Sequence, residues 1–328
     1  MYAIEVDGGK GGPEAMHWVE VASPEVNAGE VLIDVTSTAV NRADLLQRQG
    51  FYHPPAGATH IMGLECSGNV AAVSDGITHL QVGDQVTALL SGGGYAEQVA
   101  VPAGQVMSVP AGIDLVTAGG LPEAACTVWS NLVMTAHLTE GEWVLIHGGG
   151  SGIGTFAIQV ARALGARVAV TAGSQAKLDA CAALGAEVLI NYNEQDFVEV
   201  VNAETGGYGV DVILDNMGAK YLERNVEALA RNGRLVVIGL QGGIKAELNI
   251  NTVLRKNATI HATGLRGRPD SEKAAICAAV ERHVWPWIAA GIVKPVVDRV
   301  MPIEKAGDAH LLIEAGATTG KLVLDVRA

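Results

Sequence analysis

Between His147 and Thr155 the chain runs Gly148, Gly149, Gly150, Ser151, Gly152, Ile153, Gly154. A turn this poor in side chains can reverse sharply and let an anion approach its backbone. If a helix follows, its free N–H groups and positive dipole end face that anion. The chemistry it suits is the cradling of a dinucleotide pyrophosphate. With Gly154 as the last glycine of a G-x-G-x-x-G spacing, Gly149 is the first and Ser151 stands at the second. The backbone of Gly149, Ser151, Gly152, Ile153 and Gly154 is therefore expected to hold the cofactor.

Which dinucleotide follows from the next strand end, Thr171, Ala172, Gly173, Ser174. An NAD site places Asp or Glu about 20 residues beyond the first glycine to hold the ribose hydroxyl, whereas an NADP site replaces that acid with cations or hydroxyls. No acid stands here. Ser174, Lys177 one helical turn on, Tyr192 after the following strand and the bare backbone of Gly173 suit a 2′-phosphate, so NADP(H) is expected. A glycine-rich surface loop would account for the glycines but not for the apolar runs on either side, and a solvated helix lysine is the plain alternative for Lys177.

Those runs make a βαβ unit. Trp143 to His147 reads as a buried strand, the residues after Gly154 as a helix, and Arg167 to Thr171 as a second strand. Further apolar strands at 187–191, 210–215, 234–238 and 259–263 alternate with helical stretches at 177–184 and 222–230, the pattern of a parallel, doubly wound sheet. Ligands bind beyond the carboxyl ends of such strands. Gly239 and Leu240, and Gly264, Leu265 and Arg266, are accordingly expected to close over the cofactor; ordinary turn glycine is the alternative. Before residue 121, short strands at 30–36, 68–73, 85–90, 95–101 and 105–109 read as an antiparallel β domain. One helical segment, 41–49, and a proline-bearing loop from Gly50 interrupt it. A long helix is expected from Pro122, another over 271–291, and closing strands at 296–300 and 322–326. The expected division is 1–121 with 265–328, and 122–264.

The chain has 328 residues, enough for two domains, and a net charge of −13. The charge argues against a nucleic-acid partner. No apolar run reaches the length of a membrane span, and the first residues lack the basic start and apolar core of a signal peptide, so a cytoplasmic location is expected. Cys66, Cys126, Cys181 and Cys277 are scattered, which suits buried thiols better than a disulfide framework or a structural zinc.

Asn41 to Asp44, Gln47 to Tyr52, Gly63 to Glu65, Ile146 to Gly154, Thr171 to Ser174 and Gly320 with Lys321 together resemble the medium-chain dehydrogenase/reductases. Within them they resemble the zinc-independent quinone oxidoreductases, in the branch of the p53-inducible homologue. The resemblance spans the whole chain and implies a GroES-like catalytic domain beside the Rossmann domain. It further implies that Asn41, Tyr52 and Thr127 line the nicotinamide and substrate site, that Arg266 touches cofactor, and that the protein is a homodimer. An open sheet edge at 259–263 would favour such pairing.

The zinc alcohol dehydrogenases of this family need cysteine or histidine ligands. Leu64 stands where their Gly-His-Glu motif has histidine, no cysteine lies near Asn41, and the 90–105 region has none, so no metal is expected. What remains is hydride transfer from NADPH to an electron-poor acceptor, a quinone or an activated alkene, with Tyr52 as candidate proton donor. Tyr52 as a stacking wall and Asn41 as a helix N-cap are the structural alternatives. An enone or alkenal reductase and a non-catalytic NADPH-binding redox sensor are the other functional readings.

Overall fold

Alternating aliphatic residues organise the N-terminal third. Strands β1 (Tyr2–Val6) and β2 (Met16–Glu20) pair as an antiparallel ribbon. In β3 (Glu30–Ala39), Val31, Ile33 and Val35 point into an apolar cluster with Val70, Val86, Val99 and Val101. Such fully buried side chains each contribute about 1.5–3 kcal/mol. Helix α1 (Arg42–Arg48) follows, then β4 (Glu65–Val73), β5 (Gln85–Leu89), β6 (Gln98–Pro102) and β7 (Val106–Ser108). Gln105, expected to open a strand, instead closes a short 3-10 turn over Ala103–Gln105 between β6 and β7.

The computed structural model describes residues 1–328 and divides into two units. Unit 1 comprises Met1–Cys126, Leu265–Gly291 and Pro295–Ala328; unit 2 comprises Thr127–Gly264 and Ile292–Lys294. After α2 (Leu115–Ala118) comes α3 (Pro122–Val128), which is shorter than expected. It gives way to a π-helical stretch over Trp129–Thr135. Side chains open the ladder there: Asn131 Nδ2 donates to Thr127 O at 2.7 Å, Thr135 Oγ1 to Ser130 O at 2.9 Å, and Ala136 N bonds Asn131 O five residues back.

Unit 2 is built on β8 (Trp143–His147), α4 (Gly152–Ala163), β9 (Arg167–Ala172), α5 (Gln175–Ala183), β10 (Val188–Asn191), α6 (Phe197–Glu204), β11 (Val210–Asp215), α7 (Leu222–Ala228), β12 (Leu229–Val237), α8 (Ile250–Lys256) and β13 (Thr259–Ala262). The sheet is wholly parallel, in the order β10-β9-β8-β11-β12-β13. This is the doubly wound Rossmann arrangement. Strand order reverses between β8 and β11, so a ligand crevice is expected off their carboxyl ends.

The chain then returns to unit 1. The helix expected over 271–291 is two, α9 (Asp270–His283) and α10 (Trp285–Ala289), since Pro286 brings no N–H to continue the ladder. Strand β14 (Val297–Pro302), helix α11 (Ala306–Glu314) and strand β15 (Lys321–Asp325) end the fold. β14 joins β15 in parallel, and β15 pairs antiparallel with the Ser37–Ala39 end of β3. The sheet of unit 1 is thus GroES-like and antiparallel apart from its outermost pair.

Candidate functional site

Ser151 is the N-cap of α4, its Oγ accepting from Gly154 N at 3.0 Å. Serine therefore serves at a glycine position: it satisfies one amide at the helix start and leaves those of Gly152 and Ile153 without intrahelical partners. Gly154 cannot carry a side chain, because a Cβ there would lie 2.3 Å from Gly148 O and 2.6 Å from Gly149 O. Gly149 is hemmed in by Val170 and Cys181 and donates to Thr171 O.

Below the turn, His147 is buried and held by two hydrogen bonds. Its Nε2 lies 2.8 Å from Asn225 Oδ1 and its Nδ1 lies 3.1 Å from Thr171 Oγ1, which also accepts from Gly148 N. One neutral tautomer satisfies both contacts, with Nε2 donating and Nδ1 accepting, and burial lowers the imidazole pKa to about 4. Asn216, at the end of β11, carries a buried Oδ1 with no partner, and its Nδ2 would be 2.8 Å from a Cβ at Gly148. An orphaned acceptor beside the glycine turn suits a hydrogen-bond donor on a bound nucleotide. No sequence spacing marked Asn216.

At the neighbouring strand end, Gly173 precedes Ser174, the exposed N-cap of α5. A Cβ at 173 would fall 2.3 Å from the Tyr192 hydroxyl, so that hydroxyl lies directly against the glycine. Lys177 lays its aliphatic stem across the turn, with Cγ and Cδ each 3.1 Å from where a Cβ at Gly150 would sit. Gly173, Ser174, Lys177 and Tyr192 therefore stand together beside the glycine turn, with Asn193 added through its Nδ2 bond to Gly173 O at 2.9 Å. Gly239 packs against Asn216, and Leu240 is exposed. Thr127 and Gly264 also belong to unit 2.

Unit 1 carries a separate polar cluster. Asn41 is the N-cap of α1, as its residue type suggests, but its amide is committed elsewhere: Nδ2 donates to Glu65 Oε1 at 2.8 Å and Oδ1 accepts from Lys321 Nζ at 2.8 Å. Lys321 also pairs directly with Glu65. Glu65 is fully buried, and its other oxygen accepts from Glu123 N. Asp44 returns the cap, accepting from Asn41 N and Gly63 N, and burial raises its pKa to about 6.

Tyr52 is half-buried beneath Arg266, whose guanidinium carbon lies 5.3 Å from the ring centroid. Burial, then the charge of Glu123, raises the phenol pKa, which keeps the hydroxyl protonated and able to donate. Leu265 and Arg266 are buried in unit 1, so Arg266 stands with Tyr52 there. Lys321 and Glu65 lie in motifs visible in the sequence, but their pairing across 256 residues left no local signal.

Residues 27–111 match the alcohol dehydrogenase GroES-like domain, and residues 152–280 match a model described as zinc-binding dehydrogenase. The pig quinone oxidoreductase is 30% identical over 317 residues, covering 96% of this chain and 94% of the relative. A 2-haloacrylate reductase from Burkholderia is 30% identical over 326 residues, covering 96% of each. The chain belongs to the medium-chain dehydrogenase/reductase superfamily. The Escherichia coli quinone oxidoreductase solved with NADPH superposes on this medium-chain enzyme fold with a TM-score of 0.87 at 28% identity, covering 99% and 100% of the two chains.

The zinc in one model's description finds no matching donor set around the Gly63 to Glu65 motif. Leu64 is buried and apolar, and the oxygens of Glu65 are taken up by an ammonium, an amide and a backbone N–H. The Cys66 thiol is buried, and that burial holds its pKa well above the ordinary value. These residues do not fit a zinc ion, which wants ligands free to turn their lone pairs on it.

Proposed function

We propose that the chain is a zinc-independent, NADPH-dependent reductase whose acceptor is a quinone or a similarly electron-poor carbonyl compound. The observation that carries this reading is the strand end at Gly173: a hydroxyl, a serine and a lysine surround it, and no carboxylate stands where an NAD site needs one. The neighbour solved with NADPH and the pig quinone oxidoreductase support it. The N-R-A-D-L run at Asn41 to Leu45 is the basis for placing it in the p53-inducible branch.

In this reading the backbone of Gly149, Ser151, Gly152, Ile153 and Gly154 holds the pyrophosphate, while Gly173, Ser174, Lys177 and Tyr192 hold the 2′-phosphate. Gly239, Leu240, Gly264 and Leu265 flank the nicotinamide, and Thr127 contacts the reacting groups. NADPH, when bound, supplies a hydride, and one quinone with one further proton becomes a hydroquinone. The Tyr52 hydroxyl donates its hydrogen bond, then its proton, to the oxygen that gains charge; a phenol that burial keeps protonated is an acid of the same type as the hydroquinone product. Asn41, its amide fixed by Lys321 and Glu65, lines the nicotinamide and substrate site.

The test is NADPH oxidation, followed spectrophotometrically, with a panel of ortho- and para-quinones, enones and alkenals. Turnover with quinones is the expected result. Preference for enones would move the assignment to an alkene reductase, which the 2-haloacrylate relative makes the natural second reading. Tight NADPH binding without turnover on any acceptor would leave a redox sensor.

A further inference from the structure

Arg266 is only 5% exposed, and its two terminal nitrogens are both buried without a hydrogen-bond partner. Burying a guanidinium with four of its five N–H donors idle is costly, and folded chains seldom retain such a group without a counter-charge for it to meet. The rest of the side chain is firmly placed. Nε donates to Ser91 O at 2.8 Å, and the same serine's Oγ accepts from Lys273 Nζ at 2.8 Å. The plane of the guanidinium is thereby fixed and its terminal edge left over, the geometry of a fork prepared for two parallel bonds to a carboxylate or sulfonate. No carboxylate of the chain forms an ion pair with it; Asp44 and Glu123 act on it only through their field.

We infer that the Arg266 guanidinium is the docking point for an anionic group carried by the electron acceptor, so that preferred acceptors are conjugated carbonyl compounds bearing a carboxylate or sulfonate. The inference rests on the reading of the chain as an NADPH-dependent reductase. The phosphates of the cofactor are already provided for in unit 2 by the glycine turn and by Lys177 with Tyr192. Arg266 stands instead with Tyr52, the proton donor, so an anion held there sets a carbonyl of the same molecule against the Tyr52 hydroxyl. The ring of Tyr52 lies against the guanidinium, its centroid 5.3 Å from the guanidinium carbon. It is carried on residues 50–58, which form neither helix nor strand, with Phe51 78% exposed. Turning the ring aside exchanges one cation–π contact for two charge-assisted hydrogen bonds.

The test compares 4-oxo-4-phenylbut-2-enoate with its methyl ester, two acceptors of the same shape that differ in charge. Wild type is expected to favour the acid in kcat/KM by roughly 10- to 150-fold. In Arg266→Met the ratio of kcat/KM for the acid to that for the ester should fall to about one, and Arg266→Lys should retain only part of the preference. The redox-inert 4-oxo-4-phenylbutanoate, titrated calorimetrically into NADP⁺-saturated protein, should bind wild type and not Arg266→Met. Equal treatment of acid and ester by wild type, or equal loss of both in the variant, overturns the inference. So does a tenfold rise in the NADPH dissociation constant of Arg266→Met, which would give the arginine to the cofactor. If the methionine variant does not fold, Arg266→Lys carries the same comparisons. Absence of turnover with every acceptor would sink the reductase reading instead, and the calorimetric binding would still decide the role of Arg266.

Discussion

Lys177 makes the sharpest claim on a single side chain. It lies across the glycine turn, one helical turn from Ser174, and a hydrogen bond to a charged group contributes about 1.5–3 kcal/mol. Lys177→Ala should therefore weaken NADPH by roughly 10- to 150-fold and leave NADH nearly unmoved. Adding Ser174→Asp should then favour NADH by supplying the missing carboxylate. Fluorescence titration with both cofactors checks this, and an equal loss for the two would make Lys177 structural. Tyr52→Phe removes only a hydroxyl. NADPH affinity should hold while quinone turnover falls roughly 100-fold, as expected for a lost general acid; an unchanged rate would leave Tyr52 as packing and water as the proton source. Asp44 offers a test by pH. Its folded pKa of about 6 lies above the 3.8 of the free side chain, so between those values the native state binds more protons than the unfolded chain. Its contribution to stability is therefore full below pH 3.8 and declines as pH rises towards 6. Asp44→Asn should gain thermal stability relative to wild type across that interval and keep a constant advantage above pH 7. A pH-independent difference in melting temperature would show that Asp44 does not titrate in this window.

At the scale of elements, two glycines of the cofactor turn region separate what must be glycine for the fold from what must be glycine for the ligand. In Gly154→Ala the new methyl meets backbone carbonyls that cannot move, so overpacking of about 1–3 kcal/mol or more is expected, seen as a lower denaturation midpoint. In Gly173→Ala it meets the free end of the Tyr192 side chain, which is 48% exposed and can rotate away. Stability should survive there while NADPH affinity falls; the reverse pattern in the two variants would invert their roles. The same elements show what sequence makes legible. Parallel strands buried on both faces read as continuous apolar runs, and the glycine turn reads by its spacing, so the Rossmann unit and its glycine turn were visible. The π-helical stretch was not, because Asn131 reshapes it through bonds to Thr127 and Thr263 that no local periodicity encodes. Nor were β1, β2 and α11 read. The polar cluster of unit 1 is assembled from residues as far apart as 41 and 321, whose motifs showed but whose pairing did not.

At the scale of the whole molecule, β13 is the last strand of its sheet and pairs only with β12. Ile250 and Leu254 of nearby α8 are each about two-thirds exposed, at 68% and 70%. An open edge and uncovered aliphatic residues favour self-association, and a homodimer joined through β13 is the proposed state. Light scattering at micromolar concentration should give twice the 33.9 kDa chain mass; a monomer alone would refute it. The pairing of β15 with β3 carries a different consequence, in the order of biosynthesis. The Ser37–Ala39 end of β3 receives its neighbour only when residues 323–325 have been made. At roughly 5–20 residues per second that is roughly 15 to 55 s later. Through that interval Glu65 also lacks Lys321, so the nascent chain carries a bare strand edge and an unpaired acid while the nearly contiguous Rossmann segment is already free to fold. A chain cut short before residue 323 would therefore carry a complete nucleotide-binding unit attached to an unfinished, aggregation-prone sheet.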